Sequence, residues 1–505
     1  MSEPRSFRFA RHFRWSLLGQ AATAAASFLT APYLIKGLGL ESYGLYIILQ
    51  SAVNYLMLAT MGAGSSAFRH IAAAKAEKDG ALLRSSLRHS LLFHGPVLLL
   101  AAAAAVWAAR PLLAGLFQVP EPLMASGVRV LWAAAVGAVF FSLSACAGSA
   151  LQGLQRFDAY NLLLFLQTGL TPLLAVALVR AGGGMETVAW AYALVQALGA
   201  AASWAWLRRI IDGSGLGAAR GGKALSLRDF ASWSFGMWLG QIAGIMGGQL
   251  DRVFAARHVS LAGMTLYAVP VGLLQRLSIV PATFTSIAMP MLGELRGEEH
   301  RGALRTLYLR QLRLLLWLGL PGLVLLFSLM PQFLSLWLGG RFGDDSVWPA
   351  RLQLFAQVFA LLTALPSSAA LAVGAPWMLP VLAWSQALLS VAGWAWFVPR
   401  WGLVGVGMGA LLGQALPALF YLPLVHRRVL GLDAGRVFFE GLLPPAVCAG
   451  AMLAVVFPFH DRATSWLLLA AFAAAGLSAY GLTAWVLLGS EDRTLVRRYL
   501  TRQGR

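Results

Sequence analysis

The sequence predicts an all-α integral membrane protein of about fourteen transmembrane helices, and three observations carry that prediction. The 505 residues are 59% hydrophobic and only 12% charged, a balance that would leave large apolar patches on any soluble domain of this size. Apolar stretches near 15–38, 43–68, 91–113, 127–151, 160–179, 187–207, 230–254, 262–290, 308–330, 347–372, 376–398, 403–425, 438–458 and 464–489 follow one another along the chain. Each approaches the roughly 20 residues that a bilayer core about 30 Å thick requires of a helix. Finally, Lys and Arg cluster in every second gap between these stretches.

The net charge of +19 would point to nucleic acid in a soluble protein, but no soluble domain is available to carry such a surface. The charge is topological. Most Lys and Arg fall at the two ends and in alternate gaps: Arg5 to Arg14, Arg69 to Arg88, Arg208 to Arg228, Arg296 to Arg313, Arg427 to Arg436 and Arg493 to Arg505. By the positive-inside rule both termini are expected in the cytoplasm. The remaining gaps, such as Gly37 to Ser42 and Ala181 to Thr187, are short and nearly neutral, so little protein is expected to project outward.

The small residues Ala21 to Ala26 resemble a signal-peptide cleavage region, but the apolar stretch runs on through Phe28 to Leu38 and is too long for one. Cys146 and Cys448 are the two cysteines, both inside predicted spans, so neither a disulfide framework nor a metal site is indicated. No GxxxxGK(S/T) phosphate loop occurs, and no cofactor is expected. Ahead of the first span, Arg5, Arg8 and Arg11 recur every three residues while Phe9 and Phe13 lie four apart. Residues 1–14 therefore read as a cytoplasmic amphipathic segment in the interface, an anchor to anionic lipid or a contact for an anionic substrate.

A short internal repeat sets the domain organisation. Leu40 to Tyr46 and Leu261 to Tyr267 agree at three of seven positions, at the same outward turn six spans apart. An even offset makes the copies parallel, related by a pseudo-two-fold axis along the membrane normal. The expected organisation is an N-lobe over 15–207, a cytoplasmic linker over 208–229, a C-lobe over 230–425, a cytoplasmic loop over 426–437, an appended helix pair over 438–489 and a cytoplasmic tail over 490–505. Two glycine stripes, Gly236/Gly240/Gly244/Gly248 and Gly405/Gly409/Gly413, suit either close static packing or helices that slide. Prolines at 172, 270, 281, 321, 366, 380 and 417 lie within spans, where they free carbonyls and permit bends.

Charges deep in a span cost about 2.5–3.5 kcal/mol each and usually face an internal cavity. Arg276 lies about fifteen residues into the eighth span, beside Gln275; Asp251 and Arg252 sit near the outer end of the seventh, and Arg69 at the inner end of the second. Asp251 could pair with Arg252 or Arg276, Arg69 could be a positive-inside anchor, and Arg276 could snorkel. Alternatively these cations face a path for an anion, since guanidinium grips phosphate with a planar fork of donors. Gln20, Asn54, Gln249 and Gln275 would meet sugar hydroxyls or form interhelical hydrogen bonds. Glu41, Glu121, Glu186 and Asp158 fall at the edges of the first six spans, which leaves no mid-depth carboxylate there for a proton relay.

Several stretches resemble one family. Pro32-Tyr33-Leu34, Gly37-Leu38-Gly39 and Glu41 to Tyr46 are similar to the first hairpin of polysaccharide-transport flippases in the multidrug/oligosaccharidyl-lipid/polysaccharide exporter superfamily. Met61-Gly62, Phe68 to Ile71, Leu151 to Asp158, Leu250-Asp251-Arg252, Tyr267, Pro290 and Leu336 to Gly339 are similar to later landmarks. Thr60 and Met61 stand where many members carry an acidic residue. The resemblance implies no chemistry, but export of an undecaprenyl-pyrophosphate-linked oligosaccharide from the inner to the outer leaflet of a bacterial cytoplasmic (inner) membrane. Such export serves O-antigen, lipopolysaccharide or exopolysaccharide synthesis, with a polysaccharide polymerase and chain-length machinery as further partners beside membrane lipids. Moving about two negative charges outward through an inside-negative potential releases roughly 2.3 kcal/mol per charge per 100 mV, a possible drive. The rivals are a cation-coupled multidrug antiporter on the same fold, with Asp251 as ion site, and a membrane-embedded glycosyltransferase, polymerase or ligase. The outer loop Gly339 to Trp348 is short for the latter.

Overall fold

A computed structural model describes residues 23–214, 224–295 and 297–487, with only the backbone of Glu298. The expected amphipathic N-terminus, Gln20, part of the linker and the tail lie outside this set. Every regular element among the described residues is helical: α1 (23–38), α2 (Leu40–Met57), α3 (Ala63–Glu77), α4 (Gly80–Leu92), α5 (Leu98–Trp107), α6 (Ala109–Gly115), α7 (Glu121–Gly153), α8 (Phe157–Thr168), α9 (Leu170–Arg180) and α10 (Met185–Ser214). There follow α11 (Leu227–His258), α12 (Leu261–Leu274), α13 (Ile279–Glu294), α14 (Arg301–Leu338), α15 (Asp344–Val373), α16 (Met378–Leu424), the single turn α17 (Ala434–Arg436), α18 (Leu443–Val456) and α19 (Trp466–Leu487).

By length and composition, ten helices among the described residues suffice to cross a membrane, or eleven when α2 and α3 are taken as one bent span. One of the ten, Met378–Val429, contains two antiparallel arms. At Gly402 the backbone turns with φ 53° and ψ −130°, a left-handed conformation that glycine adopts without steric cost. Beyond the turn, Trp394 Nε1 donates to the Val406 carbonyl (3.0 Å) and Gln386 Nε2 to Gln414 Oε1 (3.0 Å).

The chain forms two compact units, Met1–Val269 and Pro270–Arg505. The division falls within α12 and leaves α11 in the first unit, because α11 packs on α3; packing units and the sequence repeat thus have different boundaries. At the centre of the first unit, α7 is flanked by α10, α2, α3 and α5. Its buried Ala133, Ala134, Gly137, Ala147, Gly148 and Ala150 let these neighbours approach, as small residues do where lipid supplies no hydrophobic drive between helices. Polar side chains tie α7 to α8 and α10: Gln167 Nε2 donates to Ser144 Oγ (2.7 Å), and Ser144 Oγ lies 2.9 Å from Ser203 Oγ.

The repeat meets itself. Thr265 Oγ1 donates to the Leu40 carbonyl (2.8 Å), and a Cβ on Gly44 would strike Leu261. Position five of each copy therefore touches position one of the other, the isologous exchange that a two-fold axis imposes.

In the second unit α14 packs against α15, α18 and α19. The closing pair is thus seated on α14: Cys448, Met452 and Tyr480 pack with Trp317 and Val324. Pro321, Pro366 and Pro417 lie inside continuous helices, whereas α12 and α13 are separated by a 3₁₀ turn over Gln275–Ser278. Pro281, two residues into α13, has no N–H for the Leu277 carbonyl and crowds it.

The two glycine stripes differ in role. A Cβ on Gly409 would lie 2.8 Å from the Trp394 backbone nitrogen, while one on Gly236, Gly240, Gly244 or Gly248 would meet nothing within 4 Å. The stripe Gly405/Gly409/Gly413 is a packing seam, and the other is an open face. Gly409→Val should destabilise the protein by about 1–3 kcal/mol through overpacking, read as a lower melting temperature in detergent; Gly240→Ala should leave that temperature unchanged.

Candidate functional site

The second span is broken. After α2 a 3₁₀ turn covers Leu58–Thr60, then Met61 (φ 48°) and Gly62 (φ 72°) both adopt left-handed conformations before α3 begins. The two parts of the span are bent by 54°. Left-handed backbone at a non-glycine residue costs roughly 1–2 kcal/mol, so neighbouring contacts must hold the break open.

Those contacts come from α11, which runs beside the broken span in the opposite direction. Ser66 Oγ donates to the Phe230 carbonyl (3.1 Å), Trp238 Nε1 to the Leu58 carbonyl (2.8 Å) and the Tyr55 hydroxyl to the Gln249 carbonyl (2.8 Å). The Trp238 bond is a second one on the Leu58 carbonyl, which also accepts the Met61 N–H (3.1 Å) in the 3₁₀ turn, so it ties α11 directly to the break. At the break the backbones nearly touch: a Cβ on Gly62 would lie 3.1 Å from the Trp238 nitrogen.

Near the far end of α11 sits a buried ion cluster. Asp251 is 3% exposed and Arg252 8%. The expected ion pairs of Asp251 do not form. Instead the Tyr267 hydroxyl donates to its Oδ2 (2.9 Å) and the Arg252 backbone N–H to its Oδ1 (2.8 Å), because consecutive helical side chains point in different directions. The Arg252 side chain makes no hydrogen bond or ion pair among the described residues, and its Nε is buried. Tyr43, Tyr55 and Tyr267 lie within electrostatic reach of it. Gln249 contributes a buried Oε1 with no partner, and Asn54 is exposed on α2.

The other candidates lie elsewhere. Arg69 on α3 is exposed, its guanidinium 3.8 Å from the centre of the Trp233 ring, a cation–π contact. Trp233 and Arg252 are separated by about 28 Å along α11 at 1.5 Å per residue, so Arg69 and Arg252 are not within reach of one another in the first unit. Gln275 and Arg276 belong to the second unit, on the 3₁₀ turn. Arg276 is exposed and makes no hydrogen bond or ion pair among the described residues.

Sequence reasoning missed Tyr267 as the partner of Asp251, and it missed His94. The histidine stands midway along the span Gly80–Trp107, 2% exposed. Its signal was a lone ionisable residue in Leu91-Leu92-Phe93-His94-Gly95-Pro96. Tyr267→Phe should cost about 1–3 kcal/mol by leaving a buried carboxylate oxygen short of a donor, read as a lower melting temperature; an equal cost when Tyr267→Phe is added to an Asp251→Asn background would mean that the bond contributes nothing.

Comparison with known proteins gives the architecture a context. The profile of a family described as "polysaccharide biosynthesis protein" matches residues 9–296, and no curated protein matches the chain. Among solved structures, the lipid II flippase MurJ in an inward closed conformation is similar with a TM-score of 0.73 at 14% identity, over 96% of this chain and 100% of that one. An inward-facing multidrug resistance MATE family transporter of the MOP superfamily gives 0.63 at 15% identity, over 82% and 98%. A MOP superfamily transporter from Pyrococcus furiosus gives 0.51 at 17% identity, over 85% and 96%. With a profile match across more than half its length, the chain belongs to the polysaccharide biosynthesis protein family.

Proposed function

We propose that this protein is a flippase that carries an undecaprenyl-pyrophosphate-linked oligosaccharide from the cytoplasmic to the periplasmic leaflet during cell-surface polysaccharide synthesis. The observation that carries the reading is Arg252, a buried side chain that forms no hydrogen bond or ion pair among the described residues and whose Nε is buried without a partner. A cation desolvated in this way costs several kcal/mol, and an arriving phosphate would repay that cost with charge-assisted hydrogen bonds. Tyr43, Tyr55 and Tyr267 would supply further polar contacts and stacking faces for the sugar. Gln249 and Asn54 would bind hydroxyls of the glycan nearby.

In this reading Arg69, Gln20 and the N-terminal arginines meet the pyrophosphate at the cytoplasmic mouth, and Gln275 and Arg276 bind it at another stage of transit. The lobes 15–207 and 230–425 alternate access, with both termini cytoplasmic in the bacterial inner membrane. A polysaccharide polymerase and chain-length machinery would receive the product. The open glycine face of α11 suits a helix that changes neighbours.

Similarity in fold to a multidrug transporter, with buried Asp251, favours a second reading, a cation-coupled drug antiporter. Deleting the gene should abolish surface polysaccharide and leave drug susceptibility unchanged; the reverse pattern supports the antiporter. Arg252→Gln and Arg276→Ala should each cut export at least about tenfold, the scale of a lost charge-assisted contact of 1.4 kcal/mol or more, while protein still reaches the membrane. Normal glycan display by either variant removes that arginine from the path.

A further inference from the structure

A second buried group has no partner and lies beside the break in the second span. His94 sits in a π-helical turn over Phe93–Val97, where Pro96 lacks the N–H that a regular helix would use. Its Nδ1 lies 2.8 Å from Ser142 Oγ on α7, and the same hydroxyl donates to the His94 carbonyl (3.3 Å). With the Ser142 proton directed to that carbonyl, its lone pair accepts Nδ1–H, and Nε2 is left as a bare acceptor. Nε2 is buried with no hydrogen-bond partner.

Nε2 is aimed at the first turn of α3. A Cβ on Gly64 would lie 3.9 Å from it and 2.9 Å from Ser149 Oγ. This is the N-terminal end of a 15-residue helix that starts directly after the Met61–Gly62 break and has no side-chain cap. Free N–H groups and the helix dipole make such an end positive. A neutral Nε2 complements that end, whereas an imidazolium repels it.

Among the described residues, no side chain makes a hydrogen bond or ion pair with Nε2. On α7, Cys146 donates to Ser90 Oγ (3.2 Å); on α3, His70 Nδ1 is committed to the Ser66 carbonyl (2.8 Å). On α4, Arg88 and His89 lie more than a turn before His94, and α5 and the turn Leu58–Thr60 carry no titratable side chain.

We propose that His94 is a proton-binding site whose protonation drives the start of α3 away and straightens the second span. This deepens the transport reading and rests on it: a proton taken up at Nε2 from the acidic outer side and released to the cytoplasm returns the carrier after the anionic lipid has left. Only the proton moves, from water to Nε2 and back to water.

The test uses the full chain in nanodiscs, with spin labels on introduced cysteines in α2 and α3 to read the bend between about pH 8 and pH 3, a range that spans ordinary histidine titration and extends below it. The distance should shift with pH in the parent and stay fixed in His94→Asn, which keeps a donor for Ser142 but cannot titrate. Should that variant fail to fold, Ser142→Ala should move the midpoint by at least about half a pH unit, since it removes the acceptor that fixes the tautomer. A parent distance that ignores pH, or a shift that persists in His94→Asn, overturns the proposal.

A parallel assay in proteoliposomes, with the membrane potential clamped, follows a fluorescent undecaprenyl-pyrophosphate disaccharide. A pH-driven bend without flipping defeats the flippase reading and keeps the proton site. Flipping with neither a bend response nor a dependence on the pH gradient defeats the proton site alone.

Discussion

The hydrogen bond from Trp238 Nε1 to the Leu58 carbonyl is the contact on which the first unit's candidate chemistry depends. At the interruption the Leu58 carbonyl already accepts the Met61 N–H, and α11 adds a second donor that fixes it against the break. Close approach through Gly62 makes that bond possible. It also sets the register that places Gln249 against Tyr55 and Arg252 among the tyrosines. The first turn of α3, which faces His94, is a product of the same break.

Two ionisable groups of the first unit then acquire opposite characters from their surroundings. Arg252 is a permanent cation that makes no direct ion pair with neighbouring Asp251, whose oxygens accept from Tyr267 and a backbone N–H. His94 is a titratable base held against the positive end of a helix. An anion and a proton would act on different faces of one bent span, which gives a single two-state element that both ligands could bias.

Much of the architecture was legible because its physics is one-dimensional. Apolar length identifies spans, and the narrow gap between the stretches 347–372 and 376–398 matches a tight turn; α15 ends at Val373 with Gly374 at φ 99°. The repeat at Leu40 and Leu261 was weak in sequence, yet its two copies exchange contacts. Pairing was not legible. Adjacent Asp251 and Arg252 look like an ion pair in sequence, and only the course of α12 brings Tyr267 to the carboxylate. The glycine stripes show the same limit, since identical spacing produced a packed seam in α16 and an open face in α11.

The central claim is transfer of a lipid-linked glycan between leaflets, and its most direct measurement is the leaflet location of that lipid in spheroplasts after depletion of the protein. An impermeant lectin would label the glycan at the outer surface while extraction gives the total. The account predicts that outer labelling falls and the total rises as substrate accumulates inside. Unchanged outer labelling after depletion would contradict it.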